Sequence, residues 1–129
     1  MSAAAPKLRN PMKTARGLGS AKSGLHHWLA QRVSAVALAP LSVWFVWQAT
    51  WLFSADYMSA QAFLARPLNA VLMTVFAVTL LYHSYLGLQV IVEDYVADEF
   101  KKLATLVVFQ FIHVLLAVAA VFAVLKVAL

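Results

Sequence analysis

The sequence predicts an all-α membrane protein with three transmembrane helices, and three observations carry that expectation. Of the 129 residues, 64% are hydrophobic and 12% charged, with a mean hydropathy of +0.81; soluble domains run at about 45–50% and about 25%. Residues 33–53, 68–92 and 103–125 form apolar runs of 21, 25 and 23 residues, each long enough for the roughly 20 that a spanning helix needs. Six of the ten cations, Lys7, Arg9, Lys13, Arg16, Lys22 and Arg32, precede the first run, and the first acid is Asp56.

Taken in order, residues 1–24 read as a basic tail, free of acids, that is flexible or lies on anionic headgroups. A mitochondrial transit peptide or a signal peptide is the alternative. The run after it exceeds the roughly 7–15 residues of a signal core, and no small-residue cleavage site follows. The remaining residues, 25–129, form one three-helix domain with helices expected near 28–53, 68–92 and 103–127. Pro40 predicts a kink in the first helix, which neighbouring helices in a membrane tolerate. The link from Ser54 to Pro67, with Trp51 and Tyr57 nearby, reads as an interfacial turn with aromatic anchors. The link from Glu93 to Lys102 carries four acids and two lysines.

Orientation follows from lysine and arginine. A cytoplasmic N-terminus places eight cations inside (the six above with Lys101 and Lys102) and two, Arg66 and Lys126, outside. The expected C-terminus is therefore on the outer, periplasmic side. That asymmetry also accounts for the net charge of +5 without nucleic acid. Three spans leave no room for a soluble catalytic domain, there is no Gly-rich phosphate loop, and the absence of cysteine rules out thiolate ligation of a metal or cluster by this chain.

Ionisable groups within hydrocarbon are costly and mark functional sites or bundle interiors. His83 lies nine residues before Val92 and His113 eleven after Lys102, about 13 and 16 Å deep at 1.5 Å per residue. Either is a candidate haem ligand or a hydrogen-bonding residue between helices. Asp94 follows His83 by eleven residues, about three turns, so one helix face would carry an imidazole at mid-membrane and a carboxylate at the surface. Gly87, one turn after His83, removes a side chain where something flat could pack. Tyr95 is a phenol at interfacial depth, able to donate to a carbonyl or to serve as a belt residue. Arg32 either snorkels to the headgroups or meets a carboxylate such as a haem propionate, with His26 and His27 beside it.

The segments His83-Ser-Tyr-Leu-Gly87 and Val92-Glu-Asp94-Tyr95 resemble the second helix of the small hydrophobic membrane-anchor subunits of succinate dehydrogenase (succinate:quinone oxidoreductase, respiratory complex II). The stretch from His26 through Arg32-Val-Ser34-Ala is similar to that family's N-terminal signature. The resemblance implies a four-subunit complex in which a flavoprotein (FAD) oxidises succinate and an iron–sulfur subunit passes electrons to the membrane. Two anchor subunits, this one and a cytochrome b556-type sister, would share one haem b and complete the ubiquinone site. Residue by residue, it implies His83 as one axial haem ligand, Tyr95 as donor to a quinone carbonyl, and Asp94 as its neighbour in a proton path. Arg32 and His26 would lie near the haem propionates. His113 has no counterpart and reads as structural.

The implied location is a bacterial inner membrane, with the mitochondrial inner membrane second. Competing readings are a purely structural anchor, a small proton-coupled transporter using His83 and His113, and a haem clasped by both histidines within this chain.

Overall fold

A computed structural model describes residues 22–129; most of the expected basic tail, residues 1–21, lies outside them. Four helices follow one another: α1 (Lys22–Leu52), α2 (Tyr57–Leu64), α3 (Pro67–Tyr95) and α4 (Glu99–Ala128). Among the described residues α1, α3 and α4 are each long and apolar enough to cross a membrane. The all-helical, three-span expectation therefore holds, with one short helix added.

That helix corrects the reading of residues 54–67 as a plain turn. Asp56 takes an extended conformation as N-cap of α2 and accepts a hydrogen bond from the Ser59 backbone N–H at 2.9 Å, which satisfies one of the donors orphaned at a helix start. Trp44 and Trp51 of α1 meet Phe63 of α2 at ring-centroid distances of 6.5 and 5.8 Å. The Asn69 side chain donates to the Phe63 carbonyl at 2.9 Å, tying α2 to α3. The Ser59 hydroxyl, and then its backbone N–H, hold the Asp56 carboxyl below the usual carboxylate range.

The spans also begin before the apolar runs, and α3 and α4 end beyond them. Already at Lys22, α1 is helical rather than from about 28, and it continues through Pro40. Pro67 occupies the first turn of α3, where its missing N–H costs nothing. That helix runs three residues past Val92, closing with the Val96 N–H on the Val92 carbonyl at 3.0 Å. Asp98 caps α4 by accepting from the Lys101 N–H at 2.8 Å, so α4 starts at Glu99 and not near 103. Hydropathy marks the hydrocarbon layer, whereas a helix propagates one hydrogen bond per residue until a cap or breaker stops it.

The middle element is α3, packed on α1 along one side and on α4 along the other. The Gln31–Gly87, Ser34–His83 and Phe45–Phe76 meetings run in opposite directions along the two chains, so α1 and α3 are antiparallel. The start of α1 and the end of α3 therefore share one end of the bundle. Buried apolar residues are few: Leu38, Phe76, Leu86, Val92 and Val124. Such a surface suits lipid or a partner helix better than water, and association then rests on packing and polar contacts between helices, since lipid tails are as apolar as leucine.

Candidate functional site

Four polar residues, His27, Gln31, Ser34 and His83, gather on the seam between α1 and α3. On α1, His27, Gln31, Ser34 and Leu38 recur at helical spacing on one side, and Ser34 is the buried polar residue among those described, at 5% exposure. Facing them, His83 approaches Ser34 with Nδ1 at 2.8 Å from Oγ. The same Oγ lies 2.7 Å from the Ala30 carbonyl and 3.1 Å from that of Gln31. Among the described residues, no hydrogen-bond partner is found for His83 Nε2. Ser34 carries no predicted role of its own; its small side chain looks ordinary in an apolar run until α3 lies against it.

One turn further, Gly87 faces the same helix. A Cβ there would sit 3.9 Å from Gln31 Nε2, an ordinary contact, so the chain itself does not demand glycine at this position. Gln31 Oε1 and His27 Nε2 are both buried without a hydrogen-bond partner among the described residues. Buried polar atoms are nearly always paired in folded proteins, so these two orphans mark this part of the seam as a candidate site.

His113 is differently engaged. Its Nδ1 donates to the Phe109 carbonyl at 2.7 Å, its Nε2 lies 3.4 Å from Ser84 Oγ, and its ring tilts against Tyr85 with centroids 5.8 Å apart. Adjacent residues on a helix project about 100° apart. His83 therefore engages α1, while Ser84 meets His113 on the α4 side. The two histidines serve different seams, which removes the geometric basis for one haem clasped within this chain.

The remaining expected residues stand at the α1-start, α3-end edge. Because α3 runs to Tyr95, Asp94 lies three turns and about 16 Å along the axis from His83. Both Asp94 and Tyr95 are exposed, Tyr95 at 85%. Arg32 is exposed, with its guanidinium 5.7 Å from the centroid of the Trp28 ring, a cation–π contact rather than an ion pair. His26 is exposed, whereas His27 is half-buried. The structure thus joins His83, Gly87 and Ser34 in one seam, sets Arg32 within about a turn of that level, and places His26, Asp94 and Tyr95 toward one end. No cluster of three or more metal-ligating side chains occurs among the described residues.

Comparison with known proteins places this sequence in a family. Residues 6–125 match the family described as succinate dehydrogenase/fumarate reductase transmembrane subunit. The succinate dehydrogenase hydrophobic membrane anchor subunit of Rickettsia bellii (strain RML369-C) is 34% identical over 110 residues, 85% of this chain and 88% of that protein. Its counterpart in Rickettsia conorii (strain ATCC VR-613 / Malish 7) is 36% identical over 84% and 87% of the two chains. The Paracoccus denitrificans subunit of the same name is 32% identical over 73% of each. No solved structure gives a significant match. A family match over nearly the whole length, on a bundle of three apolar spans, establishes that the chain belongs to the succinate dehydrogenase/fumarate reductase transmembrane subunits, as a membrane anchor subunit of succinate dehydrogenase.

Proposed function

We propose that this anchor subunit co-ligates a haem b through His83 and helps form a ubiquinone-reduction site through Tyr95 and Asp94. The observation that carries the reading is an imidazole at mid-span with one ring nitrogen held by Ser34 at 2.8 Å and the other without a partner among the described residues. Metal-ligating histidines characteristically engage their second ring nitrogen in a hydrogen bond. A haem shared with a sister anchor subunit needs only one ligand from this chain. When bound, it would supply a one-electron redox centre whose potential its axial ligands and burial tune.

The residues fit such a group in three further respects. His27 Nε2 and Gln31 Oε1 are buried orphans on the same seam, and Arg32 offers a fork of donors for a propionate. Of the adjacent histidines, His27 has the buried, unpartnered nitrogen; we assign it, rather than the exposed His26, to the propionate end. Gly87, with no side chain one turn from His83, leaves room for the flat ring.

Tyr95 and Asp94 stand at the end of the bundle where protons are drawn from water. The phenol donates to a quinone carbonyl, and the carboxylate relays a proton over hydrogen-bond distance or through one water. The cation distribution supports this end being cytoplasmic, in a bacterial inner membrane. The flavoprotein and iron–sulfur subunits would dock on that side, FAD and iron–sulfur clusters being theirs.

The alternative is an anchor with a structural role only. The Ser34–His83 contact favours it as well, because a helix–helix hydrogen bond is what such a role requires. Reduced-minus-oxidised spectra of the affinity-purified complex separate the two. Co-ligation predicts a b-type band that disappears in His83→Ala with the subunits still together. A wild-type complex without haem, or His83→Ala with an unchanged spectrum, would leave His83 a packing residue.

A further inference from the structure

Ser34 is more than a partner that happens to lie beside His83. From the hydrogen-bond geometry we infer that its hydroxyl is a positioning group that sets the tautomer and ring orientation of His83. The inference rests on the haem reading above.

A count of the available protons fixes the direction of each bond. Ser34 Oγ has three polar neighbours: the Ala30 carbonyl at 2.7 Å, the Gln31 carbonyl at 3.1 Å and His83 Nδ1 at 2.8 Å. Carbonyl oxygens only accept, and a serine hydroxyl has one proton to donate. Directed at Nδ1, that proton would leave Oγ and the Ala30 oxygen facing each other lone pair to lone pair at 2.7 Å. Directed at Ala30, the familiar back-bond of a serine to the preceding turn of its own helix, it leaves Oγ free to accept. His83 Nδ1 must then carry the hydrogen and donate it, and a neutral imidazole protonated on Nδ1 keeps its lone pair on Nε2. Nε2 is the nitrogen without a partner among the described residues, and it is the one that can ligate iron.

Burial makes this arrangement selective. At 5% exposure, Ser34 is shielded from bulk water, so the choice of ring nitrogen is made by this one oxygen. The bond also links α1 to the ligand on α3, so the packing of two helices orients the ring plane. An acceptor on the remote N–H increases electron donation by the imidazole to a bound metal, which stabilises the ferric state relative to the ferrous.

The test uses the intact four-subunit complex carrying Ser34→Ala, Ser34→Thr or His83→Ala, read by redox titration of the haem and by low-temperature EPR of its ferric form. Ser34→Ala is expected to assemble and to hold haem at reduced occupancy, with its midpoint potential shifted upward and its low-spin g values changed. Ser34→Thr, which keeps the hydroxyl, is expected to restore the wild-type potential and signal. Wild-type potential and g values in Ser34→Ala, or no restoration by Ser34→Thr, would overturn the inference while leaving His83 as ligand. Failure of Ser34→Ala to assemble would make Ser34 a packing group and overturn it too. Wild-type haem spectra in His83→Ala would overturn the haem reading itself, a distinct result.

Discussion

Removing one oxygen atom from Tyr95 tests the quinone site without disturbing the fold. Tyr95 is the last residue of α3, 85% exposed, with no hydrogen bond from its hydroxyl among the described residues. Tyr95→Phe therefore loses no hydrogen bond to the described residues, and assembly and thermal stability should match wild type. Twelve residues separate it from His83, about 18 Å along the helix, so the haem spectrum should also be unchanged. A neutral hydrogen bond is worth about 0.5–1.5 kcal/mol net, so a phenol that only orients the quinone predicts a loss of roughly two- to thirteen-fold, taking about 1.36 kcal/mol per factor of ten. A phenol that also delivers a proton predicts a loss of about 100-fold or more. The assay compares succinate–quinone reductase activity with reduction of an artificial acceptor that draws electrons before the membrane. Loss in the first with the second preserved is the expected result. Full quinone turnover in Tyr95→Phe would refute the assignment, and loss of haem or assembly would refute the claim that Tyr95 stands apart from the bundle.

Three further outcomes follow from the geometry. His113→Ala should keep the haem band, because His113 is bonded to Phe109 and lies toward Ser84 on the α4 seam; its effect should be a lower detergent-melting temperature, and haem loss there would revive the within-chain clasp. Gly87→Ala should assemble normally, since the new methyl meets only Gln31 Nε2 at 3.9 Å, while lowering haem occupancy; full occupancy would remove Gly87 from the haem site. Asp56, whose pKa is lowered by Ser59, contributes stability that is present above the unfolded value of about 3.9 and lost as pH falls through the lower folded value. Acidification below about pH 4 should therefore increase amide exchange in α2 before the spans respond, and Asp56→Ala should show that exchange already at neutral pH.

Much of this protein was legible in the sequence because a bilayer imposes length and polarity on anything that crosses it. Apolar runs near 20 residues, Pro67 before the second and acids before the third were enough to place the spans and to reckon the depths of His83 and His113. The helix ends moved because capping, by Asp98 for α4, is decided by individual hydrogen bonds and not by mean hydropathy. The α2 helix was hidden for the same reason: Asp56 and Ser59 announce a start that eight residues of weak pattern do not.

What depth could not supply was azimuth. A span that is apolar on all sides carries no stripe to say which face meets a neighbour, so pattern and depth left His83 and His113 to be told apart by family resemblance alone, and left His26 and His27 undecided. Tertiary packing separated them. With α3 between α1 and α4, a step of about 100° from residue 83 to residue 84 sends His83 to Ser34 and gives Ser84 to His113. Sequence alone determined that imidazoles lie at mid-membrane, because composition sets depth. Only the antiparallel register of α1 on α3 decided which one has a held Nδ1 and an unpartnered Nε2, because that depends on the position of a single buried hydroxyl.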